Sequence, residues 1–339
     1  MRKFLKRIII FAFIITVAFA GLALFFKPSP MNAPGVGVEE AVAPDPAYKP
    51  LALLIWYPIE PGQTGKIKAG NLPLIVVSHG TGGSYVGHTD TAIALAKAGF
   101  VVAAVNHTGD NYRDLSYVGG SRQLTERPRH ISRAIDYMLM TWPMRSSIDP
   151  TRIGMFGHSA GGFTAVTLVG GEPDMPSIAA HCQAQPDEWI CQYVRKHGGN
   201  PDALAQERQV EWGHDPRIKA AVIAAPALGY TFAAKGLSQV KIPFQIWAAQ
   251  HDAIIYDSPK VLDGLLPGDK EFHSVANAGH FSFLAPCDRQ MTAIILVMSL
   301  FGTDRICNDP TGFDRTKFHA EFNKEVVGFF AKSLATVRP

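Results

Sequence analysis

The sequence has little charge, few cysteines and no acidic residue before Glu39. Charged residues make up 18% of the 339 and hydrophobic residues 47%. That balance excludes long disorder and is enough for one large α/β domain or two small ones. Arg2, Lys3, Lys6 and Arg7 stand at the N-terminus with no acid to balance them. Without residues 1–26, 28 basic residues face 29 acidic ones. The net charge of +3 therefore belongs to the N-terminal segment, and the body offers no charge case for nucleic acid. There is no Cys-x-x-Cys, and the cysteine spacing does not suggest zinc. Internal repeats and low-complexity tracts are also missing.

Ile8–Phe26 is a run of 19 residues without a charge. As a helix it would reach roughly the thickness of a bilayer core. Four cations precede it, and Ala18-Phe19-Ala20 resembles a cleavage site. An uncleaved signal-anchor is the expectation, because apolar residues continue past Ala20 to Phe26. A cleaved signal peptide is the alternative. Residues 1–27 are thus a signal-anchor or signal peptide, 28–34 a Pro-rich spacer, and 35–339 the folded domain. The positive-inside tendency leaves the N-terminus in the cytoplasm and exports the body. The expected location is periplasmic or extracellular: membrane-tethered through residues 8–26, or secreted after cleavage.

The four cysteines are Cys182, Cys191, Cys287 and Cys307. An even count in an exported chain permits two disulfides in three possible pairings. Cys182–Cys191 with Cys287–Cys307 closes the shortest loops. A straight helix over 288–302 would set its ends about 20 Å apart, which counts against the second bridge.

From residue 35 onward, short apolar runs alternate with helical patterns. Gly35–Val38 and Leu51–Tyr57 read as a hairpin, with Pro44-Asp45-Pro46 near its turn. Leu72–Ser78, Gly99–Val105, Ile153–Gly157, Ile218–Ala225, Pro243–Ala249 and Phe272–Val275 read as strands. Helical spacing marks Thr89–Ala98, Pro128–Met140, the residues after Ser159, Met291–Phe301 and Phe318–Leu334. Alternating β and α elements predict a doubly wound, mostly parallel sheet with helices on both faces. Residues 171–215 break the rhythm. They form either a cap beside a functional site or a surface insertion held by a disulfide.

One strand leads to chemistry. Ile153–Phe156 runs into Gly157-His158-Ser159-Ala160-Gly161-Gly162, and a helix follows. Strand, sharp turn and helix are the setting of a nucleophile elbow, so the α/β-hydrolase fold is predicted with Ser159 as nucleophile. A plain Gly-rich βα turn is the bland alternative. A serine hydroxyl needs a base to take its proton. Asp252 directly follows the strand ending at Ala249, and His280 follows the next strand. This is the order Ser, acid, His that the fold uses, with His280 the base and Asp252 its orienting carboxylate. His158, His251 and His273 are weighed and set aside, as are Asp257 and Asp263, which do not directly follow a strand. The glycine-rich His79-Gly80-Thr81-Gly82-Gly83 follows the first central strand. It lacks the Gly-Lys-Ser/Thr ending of a phosphate loop. It therefore reads as an oxyanion loop, with the backbone amides of Thr81 and Ala160 as donors.

These motifs resemble an α/β-hydrolase group often labelled predicted dienelactone hydrolases, and within it proteins similar to platelet-activating-factor acetylhydrolases. The resemblance rests on Trp56-Tyr57-Pro58, Ser78–Gly82, Gly157–Gly162, Asp215–Ala220, Gly279–Cys287 and Asp309–Arg315. It implies a serine esterase with Ser159, Asp252 and His280 as triad and the Thr81 and Ala160 amides as oxyanion hole. It further implies short-acyl or phospholipid-type ester substrates, with no metal or organic cofactor. Dienelactone hydrolases use a cysteine nucleophile where this chain has Ser159, so the label does not imply lactone specificity. Two other functions stay open on the same residues: a peptidase or amidase, and a non-catalytic hydrolase-like binding module. Neither the oligomeric state nor the physiological ester follows from the sequence.

Overall fold

The computed structural model describes residues 31, 33–46, 49–63, 65–206, 211–287 and 305–336. The apolar run Ile8–Phe26 and the helix expected at Met291–Phe301 lie outside them. Among the described residues no helix is long and apolar enough to cross a membrane. Contacts divide the chain into two units. Residues 1–31 and 287–307 form one, and the Cys287–Cys307 disulfide lies within it. Residues 32–286 and 308–339 form the other, which holds the sheet. The bridge joins the two ends of residues 287–307 and closes that segment on itself.

Among the described residues eight strands form one sheet. They are β1 (Val36–Ala43), β2 (Leu51–Pro58), β3 (Leu72–Ser78), β4 (Val101–Asn106), β5 (Ile148–His158), β6 (Ile218–Ala224), β7 (Phe244–Ala249) and β8 (Lys270–Val275). Their order is β1-β2-β4-β3-β5-β6-β7-β8. β1 and β2 form the expected antiparallel hairpin, and β2 also pairs antiparallel with β4. From β4 onward every pairing is parallel.

Helices α1 (Thr89–Lys97), α2 (Ser121–Met140), α3 (Ala160–Leu168), α4 (Pro176–Ala184), α5 (Trp189–Lys196), α6 (Pro201–Gln206), α7 (Ser258–Leu265) and α8 (Arg315–Ser333) connect or flank the strands. All seven residues of β3 are buried, as a strand covered on both faces requires. Its alternate side chains feed two cores. Leu74 and Val76 pack with Ile131, Ile135 and Phe163 on one face. Ile75 and Val77 pack with Leu95, Phe322 and Phe330 on the other.

One element differs from the sequence reading. Helix α2 begins at Ser121, so Pro128 lies inside it. Proline removes one intrahelical hydrogen bond, and burial of Leu124, Arg127 and Ile131 on one face carries the helix past it. Residues 171–215 carry a disulfide, as the sequence reading allowed. They hold α4, α5 and α6, with Cys182–Cys191 joining α4 to α5. Closing a loop this short restricts the unfolded chain by about 2–3 kcal/mol.

Strand order decides where chemistry can occur. β3 is followed by β4 on one side, and β5 returns to its other side. Adjacent loops then diverge at the carboxyl ends of β3 and β5, the crevice where open α/β sheets bind ligands.

Gly154 on β5 marks how tightly α8 seats on the sheet. A Cβ there would lie 2.7 Å from Phe330 and 2.8 Å from Ile75. Gly154→Ala is expected to destabilise the fold by about 1–3 kcal/mol through overpacking. Urea unfolding of the variant against wild type measures this.

Candidate active site

The turn after β5 sets the site. Ser159 has φ 54° and ψ −117°, a conformation a non-glycine residue adopts only under constraint. Constraint comes from both sides. The Ser159 amide donates to the Ala224 carbonyl at 3.0 Å, and its carbonyl accepts from Ala227 at 3.0 Å. A Cβ on Gly157 would lie 2.2 Å from the Gly161 carbonyl oxygen, and one on Gly161 would lie 2.0 Å from that of Ser78. Only glycine permits α3 to start so close to β3.

The other two members arrive from β7 and β8, which are parallel neighbours ending at Ala249↔Val275. His280 Nε2 lies 2.9 Å from Ser159 Oγ, and Nδ1 lies 2.8 Å from Asp252 Oδ2. Asp252 Oδ1 accepts from the amides of Ile254 and Ile255 at 2.9 and 3.1 Å. The carboxylate is thereby locked, and an Nδ1–H on His280 leaves Nε2 free to accept the serine proton. Both side chains are buried.

The residues set aside make other contacts. His158 is buried, and its Nε2–H donates to the His280 carbonyl at 3.1 Å. His251 is exposed, His273 stacks on Trp247, and Asp257 pairs with Lys260. Asp263 lies on α7.

Ser78 pairs with Gly157 across β3 and β5, so the His79–Gly83 loop emerges beside the elbow. The Thr81 and Ala160 amides donate to no other group among the described residues. Other groups of the loop are held. Arg127 donates to the His79 carbonyl, Gln123 Nε2 to Thr81 Oγ1 at 3.0 Å, and Gly82 N to Asp110 Oδ1 at 2.8 Å. Asp110 Oδ2 pairs with Arg127 and accepts from Gln123 at 2.9 Å. The Arg127 and Asp110 side chains are both 1% exposed. The sequence reading missed this scaffold. Its signal lay in α2, where Gln123, Arg127, His130 and Ala134 fall on one helical face and put polar groups on a buried stripe.

A row of histidines lies behind the loop. His79 donates Nδ1–H to the Gly80 carbonyl at 2.7 Å and accepts from His107 N at 3.2 Å through Nε2. His107 Nε2 meets Ser78 Oγ at 2.8 Å, and its Nδ1 faces His130 Nδ1 at 3.2 Å. Burial, reinforced by the Arg127 charge, pushes His79 down to about 3. Burial pushes His130 down to about 3, helped by Arg129 and Arg127, and His88 down to about 4. Burial also holds His107 and His158 well below the ordinary range. These rings are neutral structural parts.

A second scaffold holds the histidine loop. Ser282 Oγ accepts from Gly279 N at 3.0 Å and donates to Asp309 Oδ1 at 2.7 Å. Asp309 is held in turn by Arg315 at 2.9 Å. His319 Nε2 donates to the Ser282 carbonyl at 2.9 Å. The Asp309–Arg315 motif, noted in the sequence without a role, therefore buttresses the loop that carries His280.

One cluster has the composition of a metal site: His181, Glu188 and Cys191. Cys191 is bonded to Cys182, so no thiolate is available, and His181 and Glu188 already pair with each other. The donor set does not fit a metal.

Residues 56–131 match the family model described as platelet-activating factor acetylhydrolase, isoform II. No curated protein matches the chain. Among solved structures it is similar to a ferulic acid esterase from Streptomyces cinnamoneus. The two share 18% identity with a TM-score of 0.59, over 92% of this chain and 93% of that one. The likeness shows that the chain has the α/β-hydrolase fold.

Two predictions follow from the buried polar groups. Asp110→Ala leaves Arg127 unpaired in the interior and is expected to destabilise the fold by about 3–5 kcal/mol in urea unfolding. The second concerns acid. Unfolded histidines take up protons below about pH 6.5, whereas folded His79, His88 and His130 stay neutral down to about 3 to 4. In that window the unfolded chain binds more protons, so stability falls as pH falls. Melting temperature should be level above pH 7 and drop steadily from pH 6.5 to pH 4. A level profile down to pH 4.5 would contradict the neutral assignment.

Proposed function

We propose that this chain is a serine hydrolase that cleaves carboxylic esters through an acyl-enzyme. The observation that carries the reading is the continuous relay from Ser159 through His280 to Asp252, with links of 2.9 and 2.8 Å. Ser159 Oγ attacks the ester carbonyl carbon while His280 Nε2 takes its proton. The carbonyl oxygen becomes an oxyanion and receives the free amides of Thr81 and Ala160. Asp252 steadies the imidazolium. As the carbon–alkoxy bond breaks, His280 returns the proton to the departing alcohol. Water then repeats the sequence on the acyl-enzyme, releases the acid and restores Ser159. No cofactor takes part in these steps.

The substrates are esters with short acyl groups, phospholipid-type esters among them. The family likeness over residues 56–131 supports this class. Two disulfides fit an exported protein. Within that setting, Ile8–Phe26 tethers the hydrolase to the membrane with its catalytic domain outside the cytoplasm.

Ser159→Ala should lower kcat on p-nitrophenyl acetate by at least about 10³-fold and abolish labelling by a fluorophosphonate. A variant with wild-type turnover, from a parent that resists the probe, would sink the mechanism. Chromogenic amides assayed in parallel separate esterase from amidase. The expected result is turnover of esters alone.

A further inference from the structure

A partly enclosed cavity lies beside the amides proposed to form the oxyanion hole. Thr81 and Ala160 line one side, and Ile178, Ile190, Val194 and Leu204 of the 171–215 insertion line the other. Resting on the esterase reading above, we propose that this cavity is the acyl site, that it accepts unbranched acyl tails of about four carbons or fewer, and that Leu204 on α6 sets the limit.

The side on which the cavity lies identifies which half of an ester it takes. During acylation the leaving alkoxy oxygen must face His280 Nε2, which gives it a proton. The alcohol therefore departs on the histidine side. No residue of the His280 loop or of the Asp252 turn lines the cavity. It opens instead beside the residues whose amides would hold the carbonyl oxygen, so the acyl tail is the part that enters.

The lining chemistry agrees. Its exposed surface is almost entirely carbon. Two polar side chains that line it are satisfied among themselves: Gln123 bonds Thr81 Oγ1 and Asp110 and accepts from Gly119 N. Such a wall favours an alkyl chain over a charged acyl group: Tyr230 Oη is the one buried side-chain polar atom of this lining without a hydrogen-bond partner among the described residues, and a single hydroxyl does not replace the water around a charge.

Size sets the length. The space open to the centre of a water-sized sphere is about 40 Å³. One water needs about 10–15 Å³ by this measure, so the cavity holds roughly three water-sized groups. That is the bulk of three carbons beyond the carbonyl.

Leu204 ends the cavity. Together with Gly119 and Gly120 it also lines an open surface groove shared with Tyr117 and His197. Residues that line both spaces are the partition between them, and Leu204 is the large apolar side chain in that partition. The wall is also stiff. Cys182–Cys191 ties α4 to α5, and His181 stacks on Tyr230 at 3.8 Å, joining the insertion to the sheet side of the cavity. A longer tail cannot push such a wall aside cheaply.

The test is an acyl-chain series of p-nitrophenyl acetate, butyrate, hexanoate and octanoate on the purified full chain. Wild-type kcat/KM should drop about tenfold or more between butyrate and hexanoate. Leu204→Ala should join cavity and groove and raise the hexanoate-to-acetate ratio about tenfold. Ile190→Ala provides a second enlargement should Leu204→Ala fold poorly. Val194→Phe fills the cavity and should lower the butyrate-to-acetate ratio. Wild type cleaving octanoate as readily as acetate would overturn the proposal. So would variants that still react with fluorophosphonate yet keep the wild-type chain profile. A wild type that cleaves no ester and takes no probe would remove the esterase reading itself, and the acyl site with it.

Discussion

The turn at Ser159 is the constraint on which the rest of the structure depends. A left-handed backbone at a serine costs about 1–3 kcal/mol and persists only where neighbours over-determine it. Here Ala224 at the end of β6 and Ala227 in the turn after it grip Ser159, and β3 leaves room for Gly161 and no larger residue. The strained turn sits on the buried centre of a parallel sheet, whose two hydrophobic faces supply the stability that holds it. Because α3 starts at Ala160, the same turn leaves that amide without a partner among the described residues.

Loops cannot hold catalytic geometry alone, and each loop at this site is held by buried polar scaffolding. Asp110, Arg127 and Gln123 occupy the carbonyl, hydroxyl and amide handles of the oxyanion loop and leave the Thr81 amide open. Ser282, Asp309 and Arg315 do the equivalent for the loop bearing His280, with His319 and His158 bonded to its carbonyls. Buried charges of this kind contribute little net stability against apolar replacements. Their value is that they leave each loop one arrangement. The same scaffolding fills the interior with neutral histidines and so ties the site to an acid-sensitive fold.

On the proposed reading, the insertion adds selectivity to the esterase. α4–α6 carry little of the core, yet they close the cavity beside the oxyanion amides and bear one of the disulfides. A wall built from short helices and a covalent bridge can vary without disturbing the sheet, which separates acyl preference from catalysis.

Much of this was legible in the sequence because it is local. Short apolar runs and helical spacing marked the α/β alternation. The elbow is readable because glycine is obligatory on both sides of Ser159. Asp252 and His280 are readable because each follows a strand in the fold's fixed order. Helix α2 was read too short, since Pro128 is a local stop signal that tertiary burial overrode. Only the tertiary structure decided the rest. Asp110 meets Arg127, Ser282 meets Asp309, and Leu204 lines one cavity with Gly119 across gaps in sequence that no periodicity encodes. Spacing along the chain determined which residues carry the chemistry. Strand order determined which of them could touch, because hydrogen bonds and cavity walls depend on distance in space, and that is set by how the sheet is wound.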